Sequence, residues 1–502
     1  RLKKLVTILV LGFLAALTLA FLFTLATEPG VILADDQPDG SNIIPSQTIS
    51  GTWGPGTITA TANVAIDAGV VITVAPNTTV LVQDGVEIVV NGDLHTNGPV
   101  TFTTASAPAT PGAWVGLTYG PGSTGSLNQV IIQDAQHGLT LDTANPITVT
   151  DCSLRYNRHQ PAAGSMAFGA GLYVVQGDHT LVNTHIYSNT ATASGAGAVR
   201  GAGVYIVAGS PILRNSWIYE NTATSARASA GGGICILGGG PLIESSYVLT
   251  NTLTGGGHNL LYSGGGIGII GATTTVISDS LIAGNRNDLT DGYAGGGGIA
   301  FDEDGTATLI ERNVIYANYV QGPDWCEGNG IDLWDTGVSV VIRNNLIISN
   351  TSGACLSGAY GGGINMNGSA TGVHVVNNTI VGNVAGNGGG LYLQGGTVTA
   401  LNNVIYNNRA TVAGGGGIQR DAGTVDYNDI FGNSSPQTGG TMGASNIYLD
   451  PLFLGAGDLV EQYHLQQGSP AIDAGTDTGT GIPDNDYDGD TRPLGASRDI
   501  GF

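Results

Sequence analysis

Lysine is nearly absent from this 502-residue sequence. It has two lysines, Lys3 and Lys4, and both lie at the very start. Lysine and arginine together number 15 against 38 aspartates and glutamates, which gives a formal net charge of −23. Such a charge repels phosphate backbones and excludes nucleic-acid binding as a function. We expect a soluble extracellular surface and a monomer.

Cysteine is scarce as well, and helical periodicity is missing. Four cysteines in so long a chain exclude a disulfide scaffold. Cys326 and Cys355 are one repeat apart in loops, so they are candidates for a disulfide in an oxidising compartment, whereas Cys152 and Cys235 are expected to pack singly. No segment after Ala26 has the three-to-four spacing of apolar residues that helical repeats require.

A single long hydrophobic run extends from Leu5 to Ala26, after a short basic start. It predicts a secretory signal cleaved after Ala26 or Ala34, or else a retained membrane anchor. We therefore assign residues 1–34 to a signal peptide or anchor and 35–48 to a linker. The protein is expected to be secreted or at the cell surface, with membrane contact only through this segment if it is not cleaved.

Glycine is abundant, with 82 residues, and it recurs in clusters spaced by 27–33 residues. Each cluster precedes an aliphatic residue, in the order Leu172, Val204, Ile234, Ile267, Ile299, Ile331, Ile364, Leu391 and Ile418. An asparagine follows each of them, at Asn189, Asn221, Asn251, Asn285, Asn318, Asn350, Asn383, Asn408 and Asn433. Regular spacing of this kind predicts a solenoid, with the asparagines in a structural ladder and in left-handed corner conformations.

Short segments such as "GLYV", "GICI" and "GINM" alternate with a period of two, which predicts strands. One coil of short strands per repeat, paired in parallel with its neighbours, makes an all-β parallel β-helix. Residues 49–150 use shorter Val/Ile/Thr segments and are predicted to be N-terminal capping coils. Residues 151–440 are the main β-helix, and 441–502 a C-terminal cap.

Four motifs of the tail occur in a fixed order: "YLDPLF" from Tyr448, "YHLQQGSPAIDAG" from Tyr463, "DYDGDTRP" from Asp486 and "RDIG" from Arg498. Together they resemble the C-terminal block of bacterial secreted β-helix proteins of the choice-of-anchor Q group, in the pectate-lyase-like superfamily. The resemblance implies a right-handed helix displayed outside the cell, and no single activity. Family members often continue into a sorting segment, so we expect the anchor to be absent, truncated or replaced by the N-terminal run.

The stretch "DNDYDGD" places four carboxylates at alternate positions, at Asp484, Asp486, Asp488 and Asp490. Hard carboxylate oxygens in this arrangement suit Ca²⁺. Two interpretations stay open: a structural calcium site that stiffens the C-terminal cap, or a solvated acidic turn.

Outward positions on the strands after the glycine clusters carry a second candidate site. If Ile299, Ile331 and Ile364 point inward, the outward strip and its adjoining turn contain Asp302, Asp332, Trp334, Asp335, Asn365, Asn367, Tyr392 and Gln394. Carboxylates, amides and aromatics together are typical of a glycan-binding surface. Sheet spacings place Asp302 and Asp332 roughly 8 Å apart, as in an inverting glycosidase. The alternative is a charged face that keeps an exposed sheet soluble.

Three functions therefore remain open from the sequence. The first is a non-catalytic surface module that binds a polysaccharide or a cell-envelope glycan. The second is a polysaccharide hydrolase with Asp302 and Asp332 as acid and base and Trp334 as a sugar platform. A lyase is less favoured because its basic catalytic residue has no counterpart beside the strip. A self-associating wall component is a third, minor alternative.

Overall fold

A computed structural model of the chain describes residues 44, 50–225, 227, 229–257, 264–271, 274–302, 307–334, 339–355, 357–368, 371–412 and 414–502. The predicted leader at 1–34 and nearly all of the predicted linker lie outside these residues, as does Asp335. For Asp302 only the backbone is described.

Three long sheets run the length of the protein, each with 14 strands among the described residues, and all their pairings are parallel. The first sheet comprises Gly51–Trp53, Val71–Val74, Asp93–Thr96, Thr124–Asn128, Thr148–Thr150, Thr180–Val182, Ile212–Arg214, Leu242–Glu244, Val276–Ser278, Thr308–Glu311, Val340–Arg343, Thr371–Val376, Thr397–Leu401 and Thr424–Asp426. The second comprises Gly56–Ala60, Thr78–Val82, Val100–Thr104, Val130–Gln133, Ser153–Arg155, His185–Tyr187, Trp217–Tyr219, Tyr247–Leu249, Leu281–Ala283, Val314–Tyr316, Leu346–Ile348, Thr379–Val381, Val404–Tyr406 and Asp429–Phe431. The third comprises Val64–Ile66, Glu87–Val90, Trp114–Tyr119, Ala135–Asp142, Leu172–Gln176, Val204–Ile206, Ile234–Ile236, Ile267–Ile270, Ile299–Asp302, Ile331–Trp334, Ile364–Asn367, Leu391–Leu393, Ile418–Arg420 and Thr438–Gly439.

A lateral flange, which the sequence analysis did not predict, projects between the second and third sheets. Its outgoing strands form a fourth sheet of Arg158–His159, Thr190–Thr192, Thr222–Ser225, Thr252–Gly257, Arg286–Gly292, Tyr319–Gln321, Thr351–Ser352, Val384–Ala385 and Arg409–Ala410. Its returning strands form a fifth sheet of Ala167–Phe168, Val199–Arg200 and Ser229–Ala230, and a sixth of Ala294–Gly295, Trp325–Glu327 and Gly358–Tyr360. Small side chains and Leu, Val and Cys fill the space between these layers.

The interior of the coil is a continuous column of aliphatic side chains. Ile299 is in register with Ile331, and Ile331 with Ile364, and all three are fully buried in one core that runs from Ile44 to Ile430. Side chains alternate across each strand, so every second residue enters this core. The prediction of a right-handed parallel β-helix is confirmed.

A ladder of buried asparagines marks the corner at which the chain leaves the second sheet. Each donates from Nδ2 to the side-chain oxygen of the next asparagine, at 2.9–3.0 Å, through Asn189, Asn221, Asn251, Asn285, Asn318, Asn350, Asn383 and Asn408. The left-handed conformation expected of them belongs instead to the residue before each, such as Ala317 at φ 52° and Gly382 at φ 62°. That part of the prediction is wrong, because the chain turns one residue earlier and the asparagine then lies in the coil wall.

A disulfide links Cys326 to Cys355 inside the flange. It ties the returning strand Trp325–Glu327 to the loop that precedes the next returning strand. Because side chains alternate, Cys326 faces the flange interior while Trp325 and Glu327 face the third sheet. The two free cysteines, Cys152 and Cys235, are both buried.

The tail lies along the outside of the second sheet. Phe453 and Val460 pack against Leu346 and Ile348, and Asn377 donates from Nδ2 to the carbonyl oxygen of Gly501 at 3.0 Å. The helix in the described part of the chain is a single 3₁₀ turn, Glu461–Tyr463. No described helix has the length and hydrophobicity that a membrane crossing requires.

Candidate functional site

Each glycine cluster makes a sharp corner between the flange and the third sheet. At most of these corners one glycine has positive φ, for example 53° at Gly201 and 51° at Gly328. A Cβ at Gly328 would lie 2.4 Å from the Cα of Asp332, so the corner has no room for a side chain. The fold therefore sets the residue before the corner beside the residue five positions further on.

These corner pairs repeat along the protein with different chemistry at each turn. Strand register places Phe168, Arg200 and Ala230 in one column of the flange, and Gly295, Glu327, Tyr360 and Asn387 in its continuation. Their partners on the third sheet are Tyr173, Tyr205, Cys235, Ala300, Asp332, Asn365 and Tyr392. Two carboxylates meet at the pair Glu327 and Asp332.

We call Glu327, Asp332, Asn365 and Asn367 the acid–amide cluster. Asn365 Nδ2 donates to Asp332 Oδ1 at 2.9 Å and to Glu327 Oε2 at 3.3 Å. Asn367 Nδ2 donates to both Glu327 oxygens, at 3.3 and 3.4 Å. Glu327 is 6% exposed and Asp332 3% exposed, and among the described residues neither forms an ion pair. The cluster holds two buried acids with amides as their partners.

Burial changes the acidity of both groups. It raises the pKa of Glu327 to about 7, against the lowering effect of the two amide donors. It also raises the pKa of Asp332 well above its usual value, and the neighbouring Glu327 charge adds to the shift. The Asn365 side-chain oxygen is buried and accepts no hydrogen bond from any described residue. The pair therefore retains a proton near neutral pH and has an acceptor beside it.

Aromatic rings flank the cluster along neighbouring turns. Ring centroids are 6.2 Å apart for Tyr293 and Trp325, 5.4 Å for Trp325 and Tyr360, and 5.0 Å for Tyr360 and Tyr392. Trp325 and Tyr360 are partly exposed, whereas Tyr392 is 6% exposed. The row of rings crosses from the flange to the third sheet at the level of the two acids.

The predicted outward strip is largely covered. The sequence predicts that Asp332, Asn365 and Tyr392 face solvent, but all three are buried, which corrects the prediction. The returning strands of the flange lie over Asp332 and Asn365, and the Tyr360 ring packs against Tyr392. The next outward column is more accessible: Trp334 and Asn367 are partly exposed and Gln394 is exposed. Predicted Asp335 lies outside the described residues.

The predicted acid–base pair is only half described. The backbone of Asp302 is in register with Trp334, whereas Asp332 is in register with Ala300, two residues before Asp302. The role of Asp302 stays a prediction. The carboxylate that the fold brings to Asp332 is Glu327, which the sequence analysis missed because it considered only strands after the glycines. The signal that identifies Glu327 is its position directly before a glycine corner.

The predicted calcium residues have other partners. Asp484 pairs with Arg498 at 3.2 Å, and Asp488 lies 3.4 Å from His464. Asp486 accepts a hydrogen bond from the backbone of Asp490 at 2.8 Å. Within the described ranges, no three His, Cys, Asp or Glu side chains converge as a metal site. The calcium site stays a prediction.

Comparison with known proteins supports the β-helix fold over the central part of the chain. Residues 170–405 match the family model described as "Right handed beta helix region". No curated protein matches the sequence significantly. Among solved structures, the chain is similar to the crystal structure of Dettilon tailspike protein, with 14% identity and a TM-score of 0.33, over 76% of this chain and 63% of that chain. It thus spans less than two thirds of that protein, and we base no argument on the likeness.

Proposed function

We propose that this chain is a secreted or cell-surface β-helix module that binds a polysaccharide or a cell-envelope glycan at the corner beside the acid–amide cluster. The observation that carries the proposal is the row of rings through Trp325 and Tyr360 at the level of Glu327 and Asp332. Ring faces pack against the apolar faces of sugars, and carboxylates and amides accept and donate hydrogen bonds to hydroxyl groups.

The accessible part of this surface consists of side chains above the buried pair. Trp325 on the flange and Trp334 on the third sheet are partly exposed on either side of the corner, with Asn367 and Gln394 on the sheet side. A glycan lying along the corner reaches these residues first. The buried side chains of Glu327 and Asp332 then make the base of this binding surface polar.

A binding assay on a panel of polysaccharides tests this function. Trp325→Ala is expected to weaken retention about tenfold or more, since an aromatic anchor at an interface contributes on that scale. The matched control is Trp217→Ala, a partly exposed tryptophan stacked between His185 and Tyr247 on the second sheet. Equal losses in both variants, or retention of no polysaccharide by the parent protein, would refute binding at the corner.

A second candidate function is polysaccharide hydrolysis, and the raised pKa of Glu327 favours it. A carboxyl group with a pKa of about 7 is protonated often enough at neutral pH to act as a general acid on a glycosidic oxygen. Asp332 is then the second carboxylate of the pair. Because both side chains are buried, the substrate has to displace part of the corner to reach them.

Reducing-end assays separate the two functions. New reducing ends that disappear in Glu327→Gln support hydrolysis by the acid–amide cluster. Loss in Asp302→Asn with full activity in Glu327→Gln instead supports the pair predicted from sequence. Retention of a polysaccharide without cleavage supports binding alone.

A further inference from the structure

Arg200 occupies the flange position of its corner pair, with Tyr205 opposite. It ends the strand Val199–Arg200, directly before the positive-φ Gly201. Register places Phe168 one turn before it and Ala230 one turn after it. Arg200 therefore occupies the same position in its turn as Glu327 does in a later turn.

The guanidinium of Arg200 has no anionic partner in the described part of the chain. Its Nη1 atom is buried and makes no hydrogen bond. Two other partly buried arginines are neutralised, Arg312 by Asp279 at 2.8 Å and Arg343 by Glu311 at 2.7 Å. A buried donor atom without an acceptor is costly, so an anionic group that accepts a hydrogen bond from this guanidinium is favoured here.

The neighbours of Arg200 do not supply that charge. The guanidinium lies against the Cys235 thiol, but burial raises the pKa of this thiol to about 12, so it is neutral. Burial likewise raises the pKa of Tyr205 to about 12. The remaining surroundings are aromatic: Phe168 and Tyr205 have ring centroids 5.5 Å apart, and Tyr173 stacks on Tyr205 at 5.6 Å.

We propose that Arg200 is the subsite for an anionic group of the ligand, so that the glycan bound at the corner is an acidic one. Phe168 and Tyr173 are partly exposed beside the partly exposed Arg200, so a sugar ring packs on the aromatics while its carboxylate, sulfate or phosphate pairs with the guanidinium. This inference rests on the proposed function for its saccharide part, whereas the anion site rests on Arg200 alone.

The same geometry sets the direction of the ligand. Tyr205 and Asp332, the third-sheet partners of Arg200 and Glu327, are four turns apart in register, roughly 19 Å at the usual strand spacing. An anionic group near Glu327 and Asp332 is repelled whenever either acid is ionised. The charged unit of the glycan therefore lies at Arg200, and uncharged units lie towards Glu327.

Binding of small saccharides to the full chain tests the anion site directly. Glucuronate, glucose 6-sulfate and glucose 6-phosphate are titrated separately, with glucose as the neutral probe, and thermal stability and calorimetry are recorded. We expect the anionic sugars to raise Tm and glucose to have no effect, and the strongest of the three identifies the charged group. Arg200→Met is expected to weaken this binding about tenfold or more, while Arg200→Lys keeps part of it.

The matched control is Arg409→Met, which removes the same charge from an exposed position on the fourth sheet. Equal Tm shifts with glucose and glucuronate, or unchanged binding in Arg200→Met and Arg200→Lys, overturn the inference. If polysaccharides bind at Trp325 while none of the anionic sugars binds, the anion subsite fails and the proposed function stands. If the anionic sugars bind through Arg200 but no polysaccharide is retained, the proposed function fails and the anion site stands.

Discussion

The substitution Glu327→Gln is expected to stabilise the protein at alkaline pH, although it removes a side chain that makes hydrogen bonds. Burial raises the pKa of Glu327 from 4.5 to about 7. The folded protein therefore holds this proton more tightly than the unfolded chain does. The associated stability is present in full below pH 4.5 and is lost as pH rises through about 7.

The size of the loss follows from the shift. At 1.36 kcal/mol per pKa unit, the carboxyl group lowers the free energy of unfolding by about 3 kcal/mol between pH 4 and pH 8. Glutamine is neutral throughout this range and has nearly the same shape. We therefore expect Glu327→Gln to match the parent near pH 4 and to exceed it by up to about 3 kcal/mol at pH 8.

Urea unfolding followed by tryptophan fluorescence, at one-unit steps from pH 4 to pH 8, measures this difference. Asp429, whose pKa burial also raises to about 7, contributes to both proteins and cancels in the comparison. The difference that remains belongs to Glu327 and Asp332 as a pair, because the Glu327 charge contributes to the raised pKa of Asp332. The control is Asp324→Asn, an exposed carboxylate on the same segment of the flange, three residues before Glu327. Parallel pH profiles for the parent and Glu327→Gln would show that Glu327 ionises as freely in the folded protein as in the unfolded chain, and would refute the reasoning.

Three further predictions concern the scaffold. Asn318→Ala removes a ladder amide that donates to Asn350 and to the Ile282 carbonyl oxygen. It is expected to lower the free energy of unfolding by about 3 kcal/mol or more in the same urea assay. The control Asn97→Ala, at an exposed position, is expected to change it little. Reducing the disulfide between Cys326 and Cys355, 29 residues apart, is expected to cost about 3–4 kcal/mol and to speed amide exchange in the strand Trp325–Glu327. Unchanged exchange there would show that this link does not hold the returning strand in place. Calcium is expected to raise Tm and a chelator to lower it if residues 484–490 bind the ion, and an unchanged Tm would remove that site.

The fold follows from the sequence because its determinants repeat in every turn. A buried aliphatic residue such as Ile331, a corner glycine such as Gly328 and a ladder asparagine such as Asn350 each act on their counterparts one turn away. A single misread turn therefore leaves the fold prediction intact. The flange escaped prediction because its strands are two to seven residues long and lie between the two signals that define the repeat.

The site was harder to predict because it depends on what covers a strand, not on the strand itself. The period-two rule correctly placed Asp332 outside the core, but it carries no information about a second layer over that face. The returning strand of the flange is that layer, and it changes Asp332 from a solvated carboxylate into a buried one. Glu327 was missed for the same reason.

The corner pairs explain how the scaffold holds the candidate site without disturbing its fold. Both members of a pair project from the outer side of the coil. Neither of them therefore enters the aliphatic column or the asparagine ladder. The glycine between them fixes their proximity whatever their chemistry, as in Phe168 with Tyr173, whose ring centroids are 4.7 Å apart, and in Glu327 with Asp332. Specificity can then be altered at two positions per turn. Exchanging Arg200 for glutamate should therefore change the preferred charge of the ligand while leaving the register of the surrounding strands unaltered.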